Sequence, residues 1–430
     1  MSARRGASGS LAALADATPD TRDRLVDAAR ATSIVVVVVW HWTLSVTHRT
    51  ADGVLVMPNP IDAVPGGWLA TWVLQVVPVF FLVGGYANLA AWERARAAGG
   101  SDASFLGDRL RRLLVPTVVW VAVWLAVELV AALLPGPHRW VWEWFAGILV
   151  PLWFLGVHVV LVVLVPVTAR VHRRRGGLAL ALLGLGIAAG SAVDRITGLA
   201  GAGWVTTGLV WLFCHQLGCA WRTSGLGTRP LRHRLAVAGT GLLALVALTT
   251  AGGYPRSMVA TVGDLESNMF PTTAAIAALA VFQLGLLVLI APAAGRLLRR
   301  PAVWRPVVAL NVVAITVFLW HMTALLLVVR TVEGLGGTLL AEPTAQWWAQ
   351  RWLWLLAPAA VLAALVAVVG RVEVVARWGR RRPRNRRRAR TCPPRRRQGA
   401  VRTMRPGRRK IDSAPDGTML ESLDERNAIR

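Results

Sequence analysis

Ten unbroken apolar runs divide this chain, and no other feature of the sequence restricts its fold as strongly. They cover residues 29–47, 68–92, 113–134, 145–169, 177–194, 203–221, 234–252, 272–295, 307–330 and 352–376. Each lies near the length of about 20 residues with which a helix crosses the hydrocarbon of a bilayer. A soluble protein of this size would show apolar stripes rather than runs and would be roughly a quarter charged. Here 55% of the residues are hydrophobic and 16% charged. Lipid offers a backbone no hydrogen bonds, so such runs fold as helices that satisfy their own amides. The expectation is an all-α, polytopic membrane protein with about ten transmembrane helices; an ordinary soluble enzyme is excluded.

The arginines orient it. One set of alternate connections carries Arg94, Arg96, Arg109, Arg111 and Arg112, then Arg170 and Arg173 to Arg175. The same set continues with Arg222, Arg229, Arg232 and Arg234, and with Arg296, Arg299, Arg300 and Arg305. The other set holds only Arg49, Arg139, Arg195, Arg256, Arg330 and Arg351. Basic residues in short loops stay inside, so both termini are expected in the cytosol and the protein in the cell (cytoplasmic) membrane as a multi-pass chain. Residues 1–27 carry no apolar core before Arg22 to Arg30 and read as a cytosolic segment rather than a cleaved signal. Residues 28–376 form the membrane domain. The basic tail, 377–430, has the composition of a disordered segment.

That tail explains much of the net charge of +26: from Arg377 to Lys410 there are 17 basic residues and no acidic one. Beside a membrane helix such a stretch meets anionic lipid, and no specific nucleic-acid partner is expected. Trp68, Trp140, Trp142, Trp204, Trp304, Trp347, Trp348 and Trp352 sit near the ends of the runs, as an interfacial belt requires, whereas Trp320 lies deep within one. Cys214, Cys219 and Cys392 form no ligand cluster, so no metal site is expected. Of the longer outer connections, 253–271 is polar and open to two readings, a cover over a site or a solvated connector.

Ionisable groups inside a membrane are costly and mark candidate sites. They are Arg30 at the mouth of the first run, His41 within it, Glu128, His158, His215 and His321. Arg30 and His41 are eleven residues apart, which on a helix is three turns plus about 20° and a rise of roughly 16 Å. Both therefore face one way, with Asp27 a turn before Arg30 able to orient it. An arginine at the mouth can grip a phosphate, and an imidazole inside can take a proton from a hydroxyl. On its own, His41 reads equally as a helix-packing hydrogen bond. His158, on an otherwise apolar helix, reads as a packing residue.

Several segments resemble a known family in order. These are Asp27-Ala-Ala-Arg30 followed by an apolar run to His41; Gln75-Val-Val-Pro78-Val-Phe80-Phe81-Leu-Val-Gly84-Gly85-Tyr86; and Phe105-Leu-Gly-Asp-Arg109-Leu-Arg-Arg112 with Pro116 beyond. Leu152-Trp153-Phe154-Leu155 and Phe318-Leu319-Trp320-His321 complete the set. Together they resemble the acyltransferase-3 family of membrane acyltransferases over about residues 24 to 375, with Gly84 where many members have serine. The resemblance implies transfer of an acyl group, usually acetyl, from acyl-CoA as donor substrate to a hydroxyl acceptor such as a glycan or glycolipid, with no bound cofactor. It makes His41 the catalytic histidine, Arg30 its partner in the motif, and Arg109 and Arg112 donor-binding residues. Asp27, Trp153 and His321 are candidates to line a cavity; for His321 a bond to a neighbouring helix is an equal reading. Two rivals remain at this stage, a transporter of polar solutes or lipid-linked sugars and a non-catalytic scaffold.

Overall fold

A computed structural model describes residues 12–19, 22–134, 140–260 and 267–378. The tail from 379 onward, and with it the expectation of disorder there, lies outside the described residues. The helices are α1 (Arg24–Thr43), α2 (Trp68–Leu74), α3 (Val77–Ala97), α4 (Asp102–Leu133) and α5 (Trp140–Thr197). They continue with α6 (Ala200–Ser224), α7 (Leu231–Thr250), α8 (Ala274–Leu297), α9 (Pro301–Gly334), α10 (Ala345–Ala349) and α11 (Arg351–Trp378). The sheet among the described residues is one two-stranded antiparallel hairpin, β1 (His48–Arg49) with β2 (Leu55–Val56).

Eight spans among the described residues are long and apolar enough to cross a membrane. One of them, within α5, is two arms. Arg175 has non-helical backbone angles, and the packing on α6 reverses there. Before it, Trp153 meets Trp211, Thr168 O accepts from Gln216, and His172 hydrogen-bonds Thr223. After it, Gly186 faces Leu209 and Gly190 faces Thr206. The chain thus runs along α6 one way and returns the other, as the separate runs 145–169 and 177–194 require. With α6 itself, the helical segments match the ten apolar runs. Sequence boundaries missed the polar turns: α4 begins at Asp102 rather than near 113, so Arg109 and Arg112 stand on a helix.

Local chemistry starts and stops these helices. Asp23 caps α1 by accepting from the amides of Leu25 and Val26, which satisfies donors that a helix start leaves free. Between α2 and α3 the helix is broken at Gln75 and Val76, and Pro78 opens α3 with its fixed φ. A break inside a membrane needs partners for its freed groups. Gln283 of α8 supplies them, donating to the carbonyls of Trp72 at 3.2 Å and Gln75 at 2.9 Å.

The expected tryptophan belt is only partly a belt. Trp204 and Trp352 are well exposed, but Trp304 and Trp347 are buried. Trp304 lies under the Arg24 guanidinium and donates to Thr18, while Trp347 stacks on Arg351 at 3.7 Å. Trp320 is buried in the apolar core formed by α1, α4, α9 and α11. The side chains of Trp140 and Trp142 lie outside the described residues.

Where helices cross closest, only hydrogen fits. A Cβ added to Gly85 would stand 1.8 Å from the carbonyl oxygen of His215, whereas one at the adjacent Gly84 would meet nothing within 4 Å. Gly85→Ala should therefore push α3 off α6 at an overpacking cost of about 1–3 kcal/mol. Gly84→Ala should leave stability unchanged. Thermal unfolding of the two variants in detergent checks the pair, and equal melting temperatures would refute the crossing.

Candidate functional site

His41 and His321 come together. His41 Nδ1 lies 2.9 Å from His321 Nε2, and the ring planes agree within 10°. His321 is wholly buried and its Nδ1 is 2.6 Å from the carbonyl oxygen of Phe318 on its own helix. A carbonyl only accepts, so His321 Nδ1 carries its proton and, in the neutral ring, Nε2 holds a lone pair. His41 Nδ1–H must then donate to it. The remaining nitrogen of His41, Nε2, is left with a free lone pair, the tautomer of a base. Trp42 fastens the same junction from α1, donating through Nε1 to the carbonyl of His321 at 3.0 Å.

Both histidines line a cavity of about 420 Å³. Its helical wall runs from Ser33 to His41 on α1, roughly 12 Å by helix rise, with Leu44 just past the helix end. The opposite wall is aromatic: Phe80, Trp153, Phe154 and Phe318, with Phe270 from an outer connection. Phe154 packs on Phe80 at 4.8 Å and on Phe318 at 4.9 Å, and Trp153 meets Phe270 edge-on at 5.0 Å. Trp153 and His321 line the cavity, and His321 is also the residue that bonds α9 to α1, so its two readings coincide.

The described limbs of the connection after α7 form a built wall rather than a solvated connector. Val259, Ala260, Met269 and Phe270 face the cavity. Met258 donates its amide to Thr71 Oγ1 and accepts from Gln75 Nε2, and Trp72 donates to Arg256 O. Asn268, fully buried, ties the two limbs together by donating to Pro255 O and Ser257 O. The segment between the limbs, 261–266, lies outside the described residues. On the other side, the β1–β2 hairpin leads to Met57, Pro58 and Asn59 at the cavity and is clasped to α9 by Arg49 and Glu333 at 2.6 Å.

At the arginine-rich face the charges gather. Arg30, Arg112 and Arg94 each lie within electrostatic reach of Arg109. Arg109 also lies over the ring of Phe105 at 5.7 Å. Asp27 is placed otherwise than as a cavity residue. It is buried beneath the mouth of α1, bonded to Arg22 and, at 3.5 Å, to Arg30. Its role there is to hold Arg30, because a buried carboxylate needs such partners.

Other titratable groups separate. His215 is buried between α3 and α6 with Nε2 3.3 Å from Asn88 Nδ2, a packing position. Glu128 has a buried carboxylate oxygen without a hydrogen-bond partner and does not line the cavity. His158 packs against Phe80 at 5.5 Å, just beyond the aromatic wall. Sequence reasoning missed Arg94 as a site residue, for which the end of the motif helix α3 among arginines was the signal. For the connection 253–271 it left two readings open, and the lining by Val259, Ala260, Met269 and Phe270 favours the cover.

A cluster of four guanidiniums calls for an anion that bridges them. ADP, as a pyrophosphate probe, should bind the purified protein with an affinity that falls as salt rises. Arg30→Ala or Arg109→Ala should weaken it about tenfold or more, as loss of a charge-assisted hydrogen bond does. Titration calorimetry in nanodiscs reads this, and binding indifferent to both substitutions would refute the site.

In comparison with known proteins, a family model described as an acyltransferase domain matches residues 24–372. No curated protein and no solved structure matches the chain.

Proposed function

The chain belongs to the acyltransferase-3 family, and from that premise we propose that it moves an acyl group, acetyl in the simplest case, from acyl-CoA to a hydroxyl of a carbohydrate or related cell-envelope acceptor. The family answers the transporter and scaffold alternatives in favour of a multi-pass membrane acyltransferase. The observation that carries the finer reading is the His41–His321 pair, a base held in one tautomer at the edge of a cavity.

The acyl-CoA enters from the cytosol, its phosphates on Arg30, Arg94, Arg109 and Arg112. The distance supports this, since Arg30 and His41 stand roughly 16 Å apart on one face of α1, a span that suits a phosphate-headed arm ending in a thioester. His41 Nε2 takes the proton of the acceptor hydroxyl as its oxygen attacks the thioester carbonyl. The tetrahedral intermediate collapses, the carbon–sulfur bond breaks, and the leaving thiolate recovers the proton from His41. Products are the ester and free CoA, with His41 returned to its starting form. While His41 is charged, the lone pair of His321 Nε2 faces its Nδ1–H and stabilises it. The acceptor approaches from the outer face, past the walls at 57–59, 259–260 and 269–270. Direct attack is favoured because no serine or cysteine lies in an evident nucleophile motif and no serine hydroxyl is hydrogen-bonded to His41 among the described residues.

The test is thiol release from acetyl-CoA by the protein in nanodiscs, with crude cell-envelope material as acceptor. His41→Ala should lower kcat by roughly 10²–10⁴-fold, the usual worth of a general base, while ADP binding stays as in the wild type and the partner lost by buried His321 lowers stability by only about 1–3 kcal/mol. His321→Ala should give a smaller loss in kcat. Turnover by His41→Ala at the wild-type rate would remove the base and the mechanism with it.

A further inference from the structure

Between the cavity and the arginine cluster lies a stretch that neither the histidine pair nor the phosphate site uses. Val77 and Phe80 of α3 line the cavity. Gly84 is seven residues beyond Val77, within about 20° of the same face and toward the arginines. It is buried, yet a Cβ there would meet no atom within 4 Å. A buried backbone that faces open space inside a bundle marks a void, which lies on the arginine side of the cavity-lining Val77 and Phe80.

His158 stands level with it. The first arm of α5 runs toward the arginine face, as α3 does. Phe154 packs on Phe80, so His158, one turn beyond Phe154, matches Gly84, one turn beyond Phe80. Its imidazole is stacked on Phe154, parallel within 8°, and meets Phe80 at 5.5 Å and Phe81 at 6.4 Å. Arg30 and Arg109 are within its electrostatic reach. No hydrogen bond from either ring nitrogen to a described residue is formed, whereas the other intramembrane histidines each have such a bond. An imidazole without a partner inside a membrane protein is costly unless something arrives to meet it.

We propose that this stretch seats the amide-bearing arm of the acyl-CoA, with His158 as a positioning residue that hydrogen-bonds one amide of the arm. The inference rests on the reading of acyl-CoA as donor. The arm runs between pyrophosphate and thioester, the ends assigned to the arginines and to His41, and its amides must pass an apolar passage. A neutral imidazole offers one donor and one acceptor, which suits an amide better than a charged side chain would. Phe80 and Phe154 cover the methylenes, and Gly84 leaves the width that a side chain would close.

The experiment is acetyl-CoA kinetics in nanodiscs. His158→Phe keeps the aromatic packing and removes both nitrogens. It should raise KM for acetyl-CoA about tenfold, as loss of one hydrogen bond does, with kcat within about twofold. His158→Gln, which can still pair with an amide, should restore most of the affinity. Gly84→Leu, whose Cβ meets no atom within 4 Å, should raise KM at least as much by blocking the passage. Wild-type KM in His158→Phe and Gly84→Leu would return His158 to a packing role and overturn the proposal. So would a loss confined to kcat, which would make His158 a proton-transfer group instead. Absence of thiol release from the wild type would remove the donor reading itself, an outcome distinct from both.

Discussion

A bilayer gives a polar group nothing to bond to, and the form of this protein follows from that constraint. Ten helical segments satisfy their own amides, and wherever the backbone leaves the helix another part of the chain must come to meet it. The break between α2 and α3 is the central case. Its carbonyls take both protons of the Gln283 amide, and the side chains around it reach out to Arg256 and Met258. An outer connection is thereby drawn down onto the broken helix, and the cavity is the space these irregular pieces enclose with α1. The site therefore occurs where helical regularity fails and is repaired from elsewhere.

The same constraint acts on the two histidines. His321, wholly buried, needs a partner at each nitrogen and finds Phe318 O and His41. Satisfying His321 fixes the tautomer of His41, so a packing requirement and the one proposed for catalysis are met by a single arrangement. It also ties α1 to α9, which are far apart in sequence. Close backbone contacts through glycine hold the flanking pairs, α3 on α6 and α7 on α8.

Much of the fold was legible because lipid makes hydropathy a direct reading of solvent. The runs found the helices, and the reversal at Arg175 sits in the arginine–glycine stretch that separated two of them. What hydropathy could not see was helix outside the hydrocarbon: the first turns of α4 are polar and were taken for a loop. Nor could it see a break within an apolar run, where Pro78 was the only mark. Of the site, Arg30 and His41 share a helix, so their relation followed from periodicity alone. Trp153 and His321 came from motifs, but the bond between His41 and His321 joins residues 280 apart and no local rule reaches that far. Asp27 was misplaced for the opposite reason. Helical periodicity put it on the face of Arg30, correctly, but could not show that the face turns inward to a carboxylate holding Arg22 and Arg30.

The division of charge in the molecule bears on the reaction proposed for it. Arg30, Arg94, Arg109 and Arg112 stand together at one face, while the cavity beyond Ser33 is bounded mainly by apolar and aromatic side chains. An ionic substrate drawn into that space would lose its hydration without gaining a counter-ion, an expensive exchange. A donor whose anionic part remains at the arginines avoids it, since only the neutral arm and thioester advance. The charge that does arise inside is transient, on the attacking oxygen and on His41 together, so the pair stays neutral as a whole. A neutral imidazole backed by a second neutral imidazole suits such a step better than a buried carboxylate would. The carboxylate would bring a permanent charge into the cavity, whereas the two histidines carry charge only while the proton is in hand.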